Sequence, residues 1–391
     1  MSEIKVNSIK GVGASDAAIT VNNTDGTCTA NITNNLSNRR MNINGGMQVW
    51  QRGTSVAVSD GSNENFQTVD RYGFKFGNAS AGAATVSQST DVPTNLGFPY
   101  SYKLDVTTIN DNSANNTQIN FYYRFEAQDI VNSGWKYNDS SSFLTISFYF
   151  KSNKTGTNKL PIMVQTSDGT SYVYVSEITQ SDTNWNRHTI KVPGNSNLTF
   201  DNNNGQGLEI AWYFTVGSSL QGTADTWGTS VIHGTSNSTN YFDSTSNEMF
   251  ITGIQIEATT NGIASDFEHR SFADELTRCK RYYRILQDAS GGACYMGAVA
   301  YNYDVNSVVV QVNFETEMRV TPTLDNTSGT NYYRFYRNSG YVDINAFNAI
   351  NGMTKYGGGF NNSDSGNGTA GQSGAVLLNN TAAKLAFDAE L

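Results

Sequence analysis

The sequence predicts a mainly β protein: an antiparallel jelly-roll sandwich, one α-helix linker and a C-terminal β-domain. Three observations carry this. Stretches with apolar and polar residues in strict alternation recur from Tyr102 to Glu257, the period-two pattern of half-buried strands. No helical pattern interrupts them, so successive strands pair as antiparallel neighbours and not through βαβ crossovers. Only one stretch, Asp266 to Leu286, repeats its apolar residues at helical spacing.

Residues 1–37 hold few large apolar groups. Ile4, Val6 and Ile9, then Ile19 and Val21, alternate enough to mark strands but are too few to bury a core. The segment reads as an arm that gains order against a partner.

Residues 38–265 read as the sandwich. Met47 and Val49 lead through the Gln51-Arg52-Gly53-Thr54 turn to a strand at Tyr72, Phe74 and Phe76. Arg52 and the Asp70-Arg71 pair stand in an uncharged neighbourhood and suit a structural ion pair or a turn clamp. Four further strands each present one apolar face: Ile119, Phe121, Tyr123 and Phe125; Leu144, Ile146, Phe148 and Phe150; Leu208, Ile210, Trp212 and Phe214; Phe250, Thr252, Ile254 and Ile256. Strands of this kind pack as two sheets. Trp212, on a regular strand face, belongs to the core. The longest polar loop runs from Gly217 to Glu248, a length found in functional or disordered loops.

Residues 266–290 read as the helical linker. Ser271 suits the N-cap, with Asp274 three residues on. Asp274 and Glu275 fall in the first turn and Arg278, Lys280, Arg281 and Arg284 follow, a charge order that suits the helix dipole. Leu276, Cys279, Tyr283 and Leu286 make one stripe, so the helix is expected to reach Leu286. Residues 291–391 read as the C-terminal β-domain. Val308, Val310, Val312 and Phe314 alternate, Asn331 to Tyr341 is dense in aromatics, and Gly357 to Gly374 is nearly all Gly, Asn and Ser.

Bulk composition narrows the function classes. Hydrophobic residues make up 38%, charged residues 15% and aromatics 12%, with 36 glycines. That is a composition of exposed strands and polar turns, with enough aromatic content to separate it from a disordered chain. A net charge of −9 disfavours nucleic acid as a partner, since phosphates need a basic surface. Cys28, Cys279 and Cys294 are far apart with no CxxC pair, so neither a zinc site nor a disulfide framework is signalled. The first residues have no apolar signal region and no run of 18 apolar residues occurs, so no membrane insertion is expected.

Catalytic patterns are weak. His188, His233 and His269 are isolated from one another, and Asp266, His269 and Arg270 read as a brace for the corner before the helix. There is no HExxH, GxSxG or P-loop pattern. Asp201, Glu209, Asp243 and Glu248 meet the needs of glycoside cleavage only if the fold assembles two of them. The expectation is a non-enzymatic protein without cofactor or metal. Binding chemistry is better represented. A sugar offers CH faces to aromatic rings and hydroxyls to amides and carboxylates. Trp135, Tyr137, Trp185, Trp227 and Tyr241 stand among polar loop residues and are candidate glycan contacts. So are Tyr333 and Tyr336, which lie on alternate faces of one strand, so that one is core and the other exposed or at a subunit contact.

Two stretches also carry a family resemblance. They are Asn42-Ile43-Asn44-Gly45-Gly46-Met47-Gln48-Val49-Trp50-Gln51-Arg52-Gly53-Thr54-Ser55 with Val69-Asp70-Arg71-Tyr72, and Gly253-Ile254-Gln255-Ile256-Glu257 with Phe267-Glu268-His269-Arg270-Ser271, Glu275-Leu276 and Cys279-Lys280-Arg281-Tyr282-Tyr283. Together they resemble the opening and close of a domain common in bacteriophage tail-fibre and virion structural proteins, over about residues 42–283. The intervening part in those proteins is similar to carbohydrate-binding jelly rolls. Glu315-Thr316-Glu317-Met318-Arg319 and Thr321-Pro322-Thr323 resemble the start of their C-terminal β-region. The resemblance implies a homotrimeric component on the exterior of a phage tail or capsid, docked on other virion proteins through residues 1–37. It implies a tail fibre that meets a host-surface glycan or receptor, and it carries over no catalytic residue. A decoration or adaptor protein without a receptor, and a polysaccharide depolymerase spike, remain alternatives.

Overall fold

The computed structural model describes residues 6–15, 17–24, 27–30, 38–61, 65–78, 81–112, 114–362 and 368–391. Ile4 and part of the 357–374 Gly/Asn/Ser stretch lie outside them. The leading strands β1 (Ser8–Ile9), β2 (Ile19–Val21) and β3 (Cys28–Ala30) form a three-stranded antiparallel sheet. No residue described for side-chain burial between positions 6 and 30 is buried.

The sandwich follows. Its elements are β4 (Ser55–Ser59), β5 (Tyr72–Gly77), β6 (Ala83–Ser89), β7 (Ser101–Thr108), β8 (Gln118–Glu126), α1 (Ala127–Val131), β9 (Phe143–Ser152), β10 (Asn158–Thr166), β11 (Val173–Gln180), β12 (Asn186–Pro193), β13 (Gln206–Val216) and β14 (Glu248–Thr259). One sheet runs β11-β10-β13-β8-β5 and the other β12-β9-β14-β7-β6-β4, all pairs antiparallel. This is the two-sheet, jelly-roll-like sandwich that the alternation predicts. Phe121 of β8 lies opposite Trp212 of β13, and from the other sheet Phe148 meets Trp212 edge-on at 5.7 Å while Tyr102 packs on Phe121 at 4.5 Å. Trp212 is fully buried, as its place on a strand face requires. Helix α1 breaks no alternation and so left no mark in the pattern. Its Ala127 sits so close to β13 that a Cβ on Gly207 would fall 2.5 Å from the Ala127 Cα, which is why that position is glycine.

The outward face of the five-stranded sheet is also dry. Register places Val175, Met163, Ala211 and Tyr122 side by side, all buried. Leu220 and Ile232 of the long loop after β13, with Phe66, cover them. The loop is tied down there: the His233 N–H donates to the Leu220 carbonyl at 2.7 Å, and its ring stacks on Tyr213 at 4.7 Å. The loop therefore acts as a cover, and this sheet face is closed to a ligand.

Helix α2 (Phe272–Cys279) starts as predicted, with Ser271 Oγ accepting from the Asp274 N–H at 3.2 Å. It stops two turns short of Leu286. Tyr283 opens a strand, β15 (Tyr283–Asp288), paired with β25 (Lys384–Asp388). Helical spacing of Tyr283 and Leu286 is a local preference of a few tenths of a kcal/mol. Sheet pairing and two stacked arginines outweigh it: the Arg71 guanidinium lies 3.4 Å over Tyr282 and that of Arg52 3.7 Å over Tyr283.

The C-terminal β-region continues as β16 (Cys294–Tyr295), β17 (Val299–Asn302), β18 (Val308–Asn313), β19 (Thr323–Asn326), β20 (Tyr333–Arg337), β21 (Gly340–Ile344), β22 (Ala349–Thr354), β23 (Gly357–Asn362) and β24 (Ser373–Leu378). A three-stranded sheet β15-β25-β19 packs with an eight-stranded one, β21-β20-β24-β17-β18-β23-β22 with β16 beside β24. Val308, Val310, Phe335, Phe360, Val376 and Phe387 fill the core between them.

A buried charge cluster joins this region to the sandwich. Arg52 reaches Asp388 at 3.1 Å and Glu390 at 3.4 Å, and Arg71 pairs with Glu390. Arg281 grips Glu126 with two bonds of 2.7 and 2.8 Å, and the Tyr282 hydroxyl donates to the same carboxylate at 2.6 Å. The isolated charges Arg52, Asp70 and Arg71 are thus a structural clamp. Burial pushes the Asp70 carboxyl up to about 6, against the pull of Arg52 at 3.9 Å. The folded chain therefore holds this proton more tightly than the unfolded one. That stabilisation is complete below about pH 4 and is lost as pH rises through about 6, roughly 3 kcal/mol in all. Asp70→Asn is expected to flatten the fall in melting temperature across that window; an unchanged slope would assign the titration elsewhere.

Candidate functional site

The eight-stranded sheet has one face on the core and one in solvent, and alternation sorts its side chains. On β17, Ala300 and Asn302 point inward while Val299 and Tyr301 point outward, with Tyr303 following. On β18, Val308 and Val310 are core and Gln311 and Asn313 are exposed. Register then aligns the outward set. Tyr301 lies opposite Val309 on one side and Ser373 on the other, and Val299 opposite Gln311, which is opposite Gly359. Tyr336 lies between Ala375 and Tyr341, and Tyr295 opposite Leu377. Five tyrosines from β16, β17, β20, β21 and the turn after β17 therefore share one face.

Two parts of this face differ in shape. A groove of about 540 Å³ is lined by Val299, Tyr301, Tyr303, Gln311, Asn313 and the glycines of β22 and β23. The glycines keep its floor low, and at Gly358 a Cβ would come within 2.5 Å of the Met353 Cα. Among the described residues, the side-chain amides of Gln311 and Asn313 have no intramolecular partner, so their donors and acceptors face water. Tyr303 is 69% exposed. The second part is a cluster in which Tyr336 sits 6.0 Å from Tyr295 and 5.7 Å from Tyr341. Arg334 lies 3.9 Å over Tyr341 and is held by Asp343 through bonds of 2.6 and 3.1 Å. Exposed rings beside unpaired amides and a flat glycine floor supply what a sugar requires: apolar surface for its CH faces and polar atoms for its hydroxyls.

The chain is similar to a phage tailspike domain and to carbohydrate-binding modules. The first is the enzymatically active domain of tailspike protein 4 of bacteriophage CBA120, at 13% identity and a TM-score of 0.29, over 56% of this chain and 21% of that one. The second is a family 11 carbohydrate-binding module from Clostridium thermocellum, at 14% identity and TM-score 0.26, over 55% of this chain and 98% of that one. The third is a xylan-binding domain of carbohydrate-binding family 22, at 8% identity and TM-score 0.29, over 59% and 99%. No family model matches the chain, and no curated protein sequence matches it either.

The residues singled out in the sequence scatter. Trp135, Tyr241 and Tyr333 are core side chains, at 3%, 0% and 0% exposure. Loop position misled for the first two, because their loops fold back on the sandwich. Tyr137 packs edge-on against Phe200 at 4.9 Å. The indole N–H of Trp185 donates to Asp91 at 2.8 Å, and that of Trp227 to the Pro193 carbonyl at 2.7 Å. All three are half-buried and lie apart from the C-terminal face. Tyr336 alone of the seven belongs to it. Sequence reading missed Tyr295, Tyr301, Tyr303 and Tyr341. The alternation of Val299, Tyr301 and Tyr303 around two small inward residues was the available signal.

The acids considered for glycoside cleavage serve separate contacts. Glu209 pairs with Arg124 at 2.7 Å, Asp243 with Lys154 at 2.6 Å and Glu248 with Lys103 at 2.5 Å, while Asp201 is exposed. His269 packs on Phe98 and Phe267 at 5.2 and 4.8 Å, and Arg270 is held by Glu268 and the Arg40 carbonyl. These groups brace the corner before α2.

Proposed function

We propose that the chain is a bacteriophage virion protein of the tail-fibre type, non-enzymatic, which recognises a host-surface glycan through the outward face of its C-terminal eight-stranded sheet. The observation that carries this reading is the groove with Tyr301, Tyr303 and the unpaired amides of Gln311 and Asn313. The family resemblance in residues 42–283 supplies the virion setting. Residues 1–37 anchor the chain to the particle: the residues described there bury nothing of their own, as suits a segment that completes its packing on a partner. A homotrimer covers the sheet edges that a single chain leaves open.

The experiment is binding of the full chain to host cells and purified host-surface polysaccharide. Tyr301→Ala with Tyr303→Ala should weaken binding by about 2 kcal/mol or more, roughly 30-fold, with at most a small fall in melting temperature, because Tyr303 is exposed and Tyr301 half-exposed on the outward face. Equal binding by the double variant would remove this face from the function. Release of reducing ends from the polysaccharide by the wild-type chain would favour a depolymerase spike instead.

A further inference from the structure

We infer that the glycan is an uncharged linear chain that crosses the strands of the sheet and occupies two subsites together, the Tyr301–Tyr303 groove and the Tyr295–Tyr336–Tyr341 cluster. This deepens the glycan reading above and rests on it.

Charge is the first argument. Every residue lining the groove is neutral: tyrosine, valine, glutamine, asparagine or glycine. In the tyrosine cluster the cation Arg334 is already taken by Asp343 in a two-bond pair. An acidic sugar would have to shed water without meeting a free cation, a cost that paired charges cannot offset. Asp304, next to Tyr303, adds an exposed carboxylate at the groove rim, held by the Asn306 N–H at 2.8 Å. The chain as a whole carries −9, so the long-range field also repels an anionic polymer.

Geometry is the second. The two subsites lie on one face of one sheet. The strands from β21 to β23 run in the order β21-β20-β24-β17-β18-β23, five spacings of about 4.8 Å, or ~24 Å across. Between the subsites β24 presents Ser373 and Ala375 outward, small side chains that put no bulk between them. A single sugar reaches one subsite. A linear chain laid across the strands reaches both, and the second contact then forms at the high effective concentration that linkage provides.

The test is an array of linear glycans, neutral and uronate- or sulfate-bearing, each in several lengths, probed with the full chain and with Tyr303→Ala and Tyr341→Ala. Binding is expected to neutral chains, to rise with length, and to fall about ten-fold for long chains in Tyr341→Ala while the shortest chains that fill only the groove are unaffected. Preference for acidic chains, or affinity indifferent to length or to Tyr341→Ala, overturns the inference while leaving glycan recognition standing. No binding to any glycan by the wild-type chain overturns both.

Discussion

Glu390→Ala is expected to lower stability by ~3–5 kcal/mol and to split one unfolding transition into two. Glu390 is 4% exposed in its side chain and faces Arg71, whose side chain is wholly buried, and Arg52 at 6%. Without it Arg52 keeps Asp388 at 3.1 Å. Arg71 keeps uncharged partners, the Arg124 carbonyl at 2.7 Å, its stacking on Tyr282 and the Tyr123 ring at 5.0 Å, and its Nε already has no hydrogen-bond partner. A guanidinium stranded in this way costs far more than a surface pair, which is worth ~0–1 kcal/mol. Because the cluster joins the C-terminal region to the sandwich, losing it should let the two cores melt separately in calorimetry. Arg71→Met together with Glu390→Leu removes both charges and should recover part of the loss. A Glu390→Ala chain that melts like the wild type would show that the cluster is not what couples them.

The second large effect is at Glu275. As a first-turn helix residue in solvent it would contribute ~0.3–1 kcal/mol through the helix dipole. The structure places it inside instead. Its carboxylate pairs with Arg40, both side chains 1% exposed, and accepts from the Asn44 N–H at 2.7 Å. Asn44 in turn bonds the backbone of Gln48, Val49 and Asp70, so the helix, the entry to the sandwich and the Arg52–Asp70 clamp are one network. Glu275→Ala should therefore cost ~3–5 kcal/mol in denaturant unfolding. A loss below about 1 kcal/mol would restore the dipole reading.

The strands were legible because a buried face writes itself as alternation, and Phe121, Phe148 and Trp212 all lie where that pattern puts them. The length of α2 was not, because Tyr283 is claimed by a strand about a hundred residues later. The partner of Arg71 was hidden for the same reason, Glu390 being 319 positions away. Aromatic loop residues misled in a different way. A polar neighbourhood says that a loop is near the surface but not which way a ring turns, and Trp135 and Tyr241 turn inward. The Tyr301–Tyr303 face needed register as well as alternation, since only pairing with β18 and β24 shows which other side chains stand beside those rings. The motifs that carry the family resemblance gather at the buried joint and the corner before α2, so what they specify is architecture.

The most direct measurement of the central claim is hydrogen exchange on the full chain with and without bound host polysaccharide. Glycan bound to the C-terminal face should slow exchange in residues 295–303, 308–313 and 333–341 and leave the sandwich strands unchanged. Protection confined to residues 118–126, 158–180 or 206–247 would place the ligand on the loop-covered face of the sandwich and contradict the account.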